Sequence, residues 1–166
     1  MRLGLSQIID RPGESVSYSA VVDLSDLQYG TCYPVSEPVK AEGTVRNTAG
    51  VLVMQGEIRT CIHGVCDRCA SDFDQDVEIP IDVVLVREFA NEENEDEWVF
   101  PLEGDNADLE DIVRTVFVLN MDTKLLCKPD CAGLCCRCGK NLNDGPCDCE
   151  KEIDPRLAAL KQLLNK

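Results

Sequence analysis

Hydrophobic and polar positions alternate through much of the first half of the chain. Residues 16 to 24, Val-Ser-Tyr-Ser-Ala-Val-Val-Asp-Leu, follow the turn-forming Pro12-Gly13 and carry a β-rich signal. Val39, Ala41, Gly43 and Val45 then alternate with Lys40, Glu42, Thr44 and Arg46, and a period of two sends each set to its own face of a strand. Asn47-Thr-Ala-Gly50 predicts a turn into a second strand, Val51-Leu-Val-Met-Gln-Gly-Glu-Ile58. A further strand runs through Val77, Ile79, Ile81, Val83 and Leu85, opposed by Glu78, Pro80 and Asp82. Pro80 has no N–H to give a neighbour, which predicts a sheet edge or a bulge there.

Near Asp108 the period changes. Asp108-x-x-Asp111 suits a helix start, and Leu109, Ile112, Val113, Val116 and Phe117 fall on one face, a stripe that should cover the sheet. The helical pattern fades after Asn120. A short amphipathic helix is expected from Asp154-Pro155 onward, through Leu157, Leu160 and Leu164. Between the last strand and the first helix, Glu92 to Glu97 reads as a solvated acidic linker.

Cysteine adds what patterning cannot. Eight of the eleven cysteines pair as Cys66-x2-Cys69, Cys127-x3-Cys131, Cys135-x2-Cys138 and Cys147-x-Cys149. Four such pairs make two four-thiolate sites for zinc, which is tetrahedral and well matched to sulfur. Cys135-x2-Cys138-Gly139 has the form of a zinc knuckle. With Cys147 and Cys149 it forms a local set whose loops close at little entropic cost, which leaves Cys66 and Cys69 to meet Cys127 and Cys131. The competing connectivity joins Cys127, Cys131, Cys135 and Cys138, and leaves Cys66 and Cys69 with Cys147 and Cys149. Spacing alone leaves both open, and Cys136 can exchange for Cys135 in either. Cys32 and Cys61 are expected as small buried hydrophobes, and His63, the only histidine, as an exposed loop residue rather than a ligand.

The 166-residue length suits one compact domain with a small appendage. The expected fold class is α+β: a small antiparallel sheet or partly open barrel over residues 1–122, covered by a helix, then a cysteine-rich zinc module with a terminal helix over 123–166. That last segment carries too few apolar groups to stand alone, so metal must supply its stability. Net charge is −15 and the isoelectric point lies near 4.3, which disfavours a bulk electrostatic grip on nucleic acid and makes protein partners the better expectation. The N-terminus does not read as a secretory signal and no stretch reaches membrane-spanning length, so a reducing cytoplasm, where paired cysteines hold metal, is expected.

Enzyme chemistry finds little footing. A four-cysteine zinc site is closed to water, Cys66 and Cys69 do not open a helix as redox pairs commonly do, and one histidine supports no catalytic constellation. A zinc-dependent protein-interaction module and a thiol redox sensor are the alternatives that remain.

Taken in order, Cys66-Asp-Arg-Cys69 after a β-rich half, Asp108-Leu-Glu-Asp-Ile-Val-Arg114, Cys127 to Cys131, Gly133-Leu-Cys-Cys-Arg-Cys-Gly139, Asn141-Leu-Asn143, Cys147-Asp-Cys149 and Asp154-Pro-Arg-Leu-Ala-Ala-Leu160 resemble the YceD-like family. This group is described as large ribosomal RNA subunit accumulation proteins, and the likeness covers residue 15 to the end. The resemblance implies a non-enzymatic part in accumulation or processing of large-subunit (23S) ribosomal RNA. It also implies that family members lacking the Cys135 to Cys149 cluster keep the equivalents of Cys66, Cys69 and Cys131, with histidine near Cys127, in agreement with the first connectivity. This chain departs from the family's leucine-proline step at Leu119-Asn-Met-Asp122, and it has Cys136 where a proline is common. A bacterial scaffold holding two zinc ions is then expected to touch a ribosomal precursor or a large-subunit ribosomal protein, with local contact to ribosomal RNA. Arg68, Arg137, Lys140, Asn141 and Asn143 on the knuckles, and Arg156 and Lys161 on the last helix, are the candidate contacts.

Overall fold

The computed structural model describes residues 1–29, 33–87 and 98–149. Cys32, the acidic run Glu92 to Glu97 and the segment from Asp154 onward, with Arg156 and Lys161, lie outside the described residues.

Among the described residues, seven strands and one α-helix follow in order: β1 (Arg2–Gly4), β2 (Ser15–Val22), β3 (Val39–Thr48), β4 (Val51–Val65), β5 (Asp72–Val86), β6 (Val99–Pro101), β7 (Asn106–Asp108) and α1 (Leu109–Asn120). The main sheet is open, with order β2-β3-β4-β5-β6, and β1 pairs with β7 in a separate two-stranded ribbon. All neighbours in the main sheet are antiparallel except β6, which joins β5 in parallel, so the expectation of an antiparallel sheet needs that one correction.

The period-two reading of β3 holds: Val39, Ala41 and Val45 are buried, while Lys40, Glu42, Thr44 and Arg46 are exposed. Ala49 and Gly50, at φ of 53° and 94°, form a two-residue turn whose left-handed conformation matches the twist of the strands they join. Buried Asn47 fixes this hairpin: its amide donates to the Ile8 and Ile9 carbonyls at 2.8 and 2.9 Å, and its Oδ1 accepts from the Gly50 N–H at 2.8 Å. Pro80 lies opposite Glu57 within β5, and β6 reaches only Val84 to Val86. The edge inferred from Pro80 is therefore local, an open side at that point of an otherwise inner strand.

α1 is capped by Asp108, whose carboxylate accepts from the Glu110 N–H at 3.0 Å. Its five buried residues are those of the stripe, Leu109, Ile112, Val113, Val116 and Phe117, packed in one core with Met54, Ile58, Ile81 and Val83 of the sheet. Each such side chain contributes roughly 1.5–3 kcal/mol on burial.

Beyond Ile58, β4 continues to Val65 because residues 59–65 keep pairing with residues 72–78 of β5. This extension is what positions the site. The two longest strands project a hairpin whose tip carries Cys66 and Cys69. Where β3 and β4 cross the middle of the sheet, Gly43 faces Gly56 and Tyr18 lies beside Gly43 on β2. Tyr18 is buried with its hydroxyl over the two glycines, that hydroxyl has no hydrogen-bond partner, and burial pushes its pKa up to about 12.

Candidate metal centres

The β4–β5 tip is a tight reversal. The Cys66 N–H donates to the Ser71 carbonyl at 2.9 Å, its carbonyl accepts from the Ala70 N–H at 2.8 Å, and Ala70 takes a left-handed φ of 54°. Later in the chain the same construction recurs. The Cys135 N–H donates to the Lys140 carbonyl at 2.8 Å, its carbonyl accepts from the Gly139 N–H at 2.9 Å, and Gly139 has φ of 73°. Antiparallel pairs flank both turns, Val65 with Asp72 and Leu134 with Asn141. The two C-x2-C segments are therefore matching knuckles, although only the second has the expected glycine at the left-handed position.

Each knuckle receives two more thiols. Cys66, Cys69, Cys127 and Cys131 form one group, Cys135, Cys138, Cys147 and Cys149 the other, and within each all sulfurs lie within 4.8 Å of one another. The first of the two connectivities is the one built. A zinc–sulfur bond of about 2.3 Å in a tetrahedron sets neighbouring sulfurs about 3.8 Å apart. The separations Cys66–Cys131 at 3.8 Å, Cys69–Cys127 at 3.7 Å and Cys135–Cys147 at 3.4 Å come near that edge length and far exceed a disulfide bond. Both groups can hold a metal ion, and their donors fit zinc.

Electrostatics make the same case. Burial opposes ionisation of Cys66, yet the N–H groups of Cys127, Cys69 and Arg68 directed at its sulfur bring it down to about 6. Cys135 is also lowered to about 6, by the Cys138 and Arg137 N–H groups and the Cys147 thiol. Cys127 is pushed up to about 12 by burial and by the sulfurs of Cys69, Cys66 and Cys131; Cys149 reaches about 12 through Cys138 and burial. Each group thus offers at least one thiol primed to ionise and holds one member whose proton a bound cation would have to displace.

The surroundings of the first group are mostly internal bonds. Asp67 accepts from the Leu125 N–H through Oδ2 and donates its own N–H to the Leu125 carbonyl, each at 2.8 Å. Arg68 donates from Nη1 to the Cys131 carbonyl at 3.0 Å, and its carbonyl accepts from the Leu134 N–H at 3.1 Å. Cys66, Cys69 and Cys131 are buried, whereas Cys138 is exposed and Cys147 and Cys149 are half-buried. Sequence reasoning missed Asp67 and Ser71 as supports, since a polar residue inside or just after a knuckle carries no distinctive spacing.

The candidate contact residues are largely engaged within the chain. Asn141 and Asn143 bond to Ser71, Cys131 and each other, and Lys140 donates to the Pro146 carbonyl at 2.7 Å. Arg137 is exposed on the second knuckle. Cys136 is exposed and stands outside the four-sulfur group. Cys61 is only half-buried, which corrects the expectation of a buried hydrophobe; desolvation and the nearby Asp76 and Asp74 carboxylates raise its thiol pKa.

His63 is a strand residue opposite Asp74, not a loop residue, and belongs to neither sulfur group. Its Nδ1 meets Asp74 Oδ1 at 2.7 Å. That bond raises the imidazole pKa, aided by the charges of Asp74 and Glu37 and opposed by desolvation. The pair therefore stabilises the fold below the ordinary histidine pKa, and its contribution is lost as pH rises through the raised value. In an NMR titration His63 should ionise above 6.5, and Asp74→Asn should bring its midpoint down.

The family described as large ribosomal RNA subunit accumulation protein YceD matches residues 54–164, well over half of the chain and all eight grouped cysteines. The chain belongs to the YceD family. An Arabidopsis thaliana relative named large ribosomal RNA subunit accumulation protein YCED homolog 1, chloroplastic, is 29% identical over 148 residues, covering 72% of this chain and 46% of its own length. The homologue of that name from Zea mays is 25% identical over 154 residues, covering 75% and 53% respectively. An uncharacterized Mycobacterium tuberculosis protein is 33% identical over 121 residues, with 69% and 56% covered. The chain thus spans about half the length of the curated relatives it matches. No solved structure matches it, and among the described residues no helix is long and apolar enough to cross a membrane.

Proposed function

We propose that this YceD protein is a non-enzymatic factor in large-subunit ribosomal RNA accumulation, built as a scaffold on two zinc ions. The observation that carries the reading is a family match enclosing two complete four-thiol groups, one of them joining the tip of the main sheet to the segment after its helix. Cys66, Cys69, Cys127 and Cys131 would hold one ion, and Cys135, Cys138, Cys147 and Cys149 the other. Zinc so bound supplies rigidity, because four sulfurs leave no position for water or substrate. The β-rich unit of residues 1–122 is the body of the scaffold, and residues 123–166 are its metal-dependent module.

A cytoplasmic ribosomal precursor, or a large-subunit ribosomal protein within it, is the partner this reading names. Net charge of −15 favours protein or shape-directed contact over a general hold on phosphates. Arg68, Arg137, Lys140, Arg156 and Lys161 are the proposed contacts, while Asn141 and Asn143, whose amides bond within the chain, are left to support the metal groups. Depletion of the protein in its own cells should lower mature large-subunit ribosomal RNA relative to small-subunit RNA, with recovery on re-expression. An unchanged ratio after full depletion would overturn the ribosomal reading and leave the metal centres untouched.

A further inference from the structure

The two centres are joined by a side chain. Asn143 belongs to the short 3-10 turn Leu142–Asp144, which follows the second knuckle and is capped by Asn141. Its Oδ1 accepts from the Ala132 N–H at 2.9 Å. A backbone N–H can only donate, so this bond turns the amide nitrogen the other way, onto Cys131 Sγ at 3.3 Å. The same nitrogen donates to Asn141 Oδ1 at 2.8 Å, and Asn141 Nδ2 reaches Ser71 Oγ on the first knuckle at 3.3 Å. Both asparagines are thereby fixed in orientation.

We propose that Asn143 is a positioning residue for the first metal centre and that, through it, the second centre governs how tightly the first holds its ion. This rests on the reading of both thiol groups as metal sites. A metal-bound thiolate keeps lone pairs that an N–H can meet, and such second-layer bonds orient the ligand and strengthen metal binding. Cys131 receives that bond from a residue whose own place depends on the neighbouring module.

No residue of the 3-10 turn is buried, and the stretch 135–149 adds none to the hydrophobic core. With so little apolar packing, the chain from Cys135 to Cys149 takes its order from its own metal ion. An empty second centre frees the turn, withdraws the Asn143 amide from Cys131, and loosens the Leu134 N–H bond to the Arg68 carbonyl. Linkage makes the effect reciprocal: an ion in the first centre tightens the second by the same factor.

Cadmium-113 NMR of the full chain separates the centres, since each bound ion gives its own resonance, and Cys147→Ser assigns them by removing the second. Asn143→Leu should keep two resonances, shift that of the first centre, and weaken cadmium there tenfold to a hundredfold in chelator competition, about the range for loss of an outer-layer partner. Asn143→Asp still accepts from Ala132 but turns a carboxylate toward Cys131, so it should weaken the first centre at least as much. A purely structural role would leave that variant near wild type. Cys147→Ser should weaken the first centre to the extent of Asn143→Leu, and the double variant should lose little more, because both remove one interaction. First-centre affinity unchanged in Asn143→Asp, or additive losses in the double variant, would overturn the proposal. A wild-type chain that takes up no metal would instead overturn the reading on which it rests.

Discussion

Cys66→Ser is expected to release one zinc ion, spare the other, and remove most of the protein's resistance to unfolding. The site it opens is buried, and it ties the tip of β4 and β5 to the segment following α1. Structural zinc contributes about 10–16 kcal/mol of apparent binding energy, while a whole domain is stable by about 5–15 kcal/mol. A serine hydroxyl in place of a thiolate leaves three sulfurs and a poorly held ion, so a destabilisation on the order of 5 kcal/mol or more follows. Denaturant melts with zinc analysis on the same samples check this. Cys136→Ser is the matched control: its thiol is exposed and outside both groups, so neither zinc content nor midpoint should move.

Gly56→Ala should cost about 4 kcal/mol or more, an exceptional amount for one methyl group. A Cβ at this position would overlap the Glu42 carbonyl oxygen and the Tyr18 hydroxyl and lie 2.9 Å from Gly43 Cα. Two of those obstacles are backbone. β3 and β4 would have to part at the middle of the sheet, and Tyr18 would lose the shallow seat that two facing glycines give its hydroxyl. Gly43→Ala meets the same fate, with Gly56 Cα at 2.6 Å and the Tyr18 hydroxyl at 2.7 Å. Thermal melts of the zinc-loaded variants test this, since the metal groups lie elsewhere and their ion content should remain at the wild-type value.

Much of this architecture is legible in the chain because local chemistry and global structure agree. The alternation in β3, the Ala49-Gly50 turn and the buried face of α1 each follow from period and turn residues alone. What patterning misses is what depends on distant partners. Residues 59–65 lack a clean alternation and are held as strand by their pairing with residues 72–78. β1 and β7 are three residues each and exist only because they meet. The parallel attachment of β6 has no local signal either.

At the metal centres the ligand types are plain and their partnership is not. Loop-closure entropy and the family resemblance both favour grouping Cys135 with Cys147, but only the fold brings Cys66 beside Cys131. The roles of Asn141 and Asn143 illustrate the limit most clearly. On the sequence they are polar residues beside a knuckle, suited to an outside partner, whereas in the folded chain their amides are turned inward to sulfur, hydroxyl and one another. Ala70 shows the converse, since a knuckle can form without glycine when flanking strand pairs hold the turn.

Zinc content measured by mass spectrometry on protein purified under reducing conditions, with no metal or chelator added, bears most directly on the central claim. Two ions per folded chain is the result this account predicts. A cooperatively folded chain carrying no metal would contradict it.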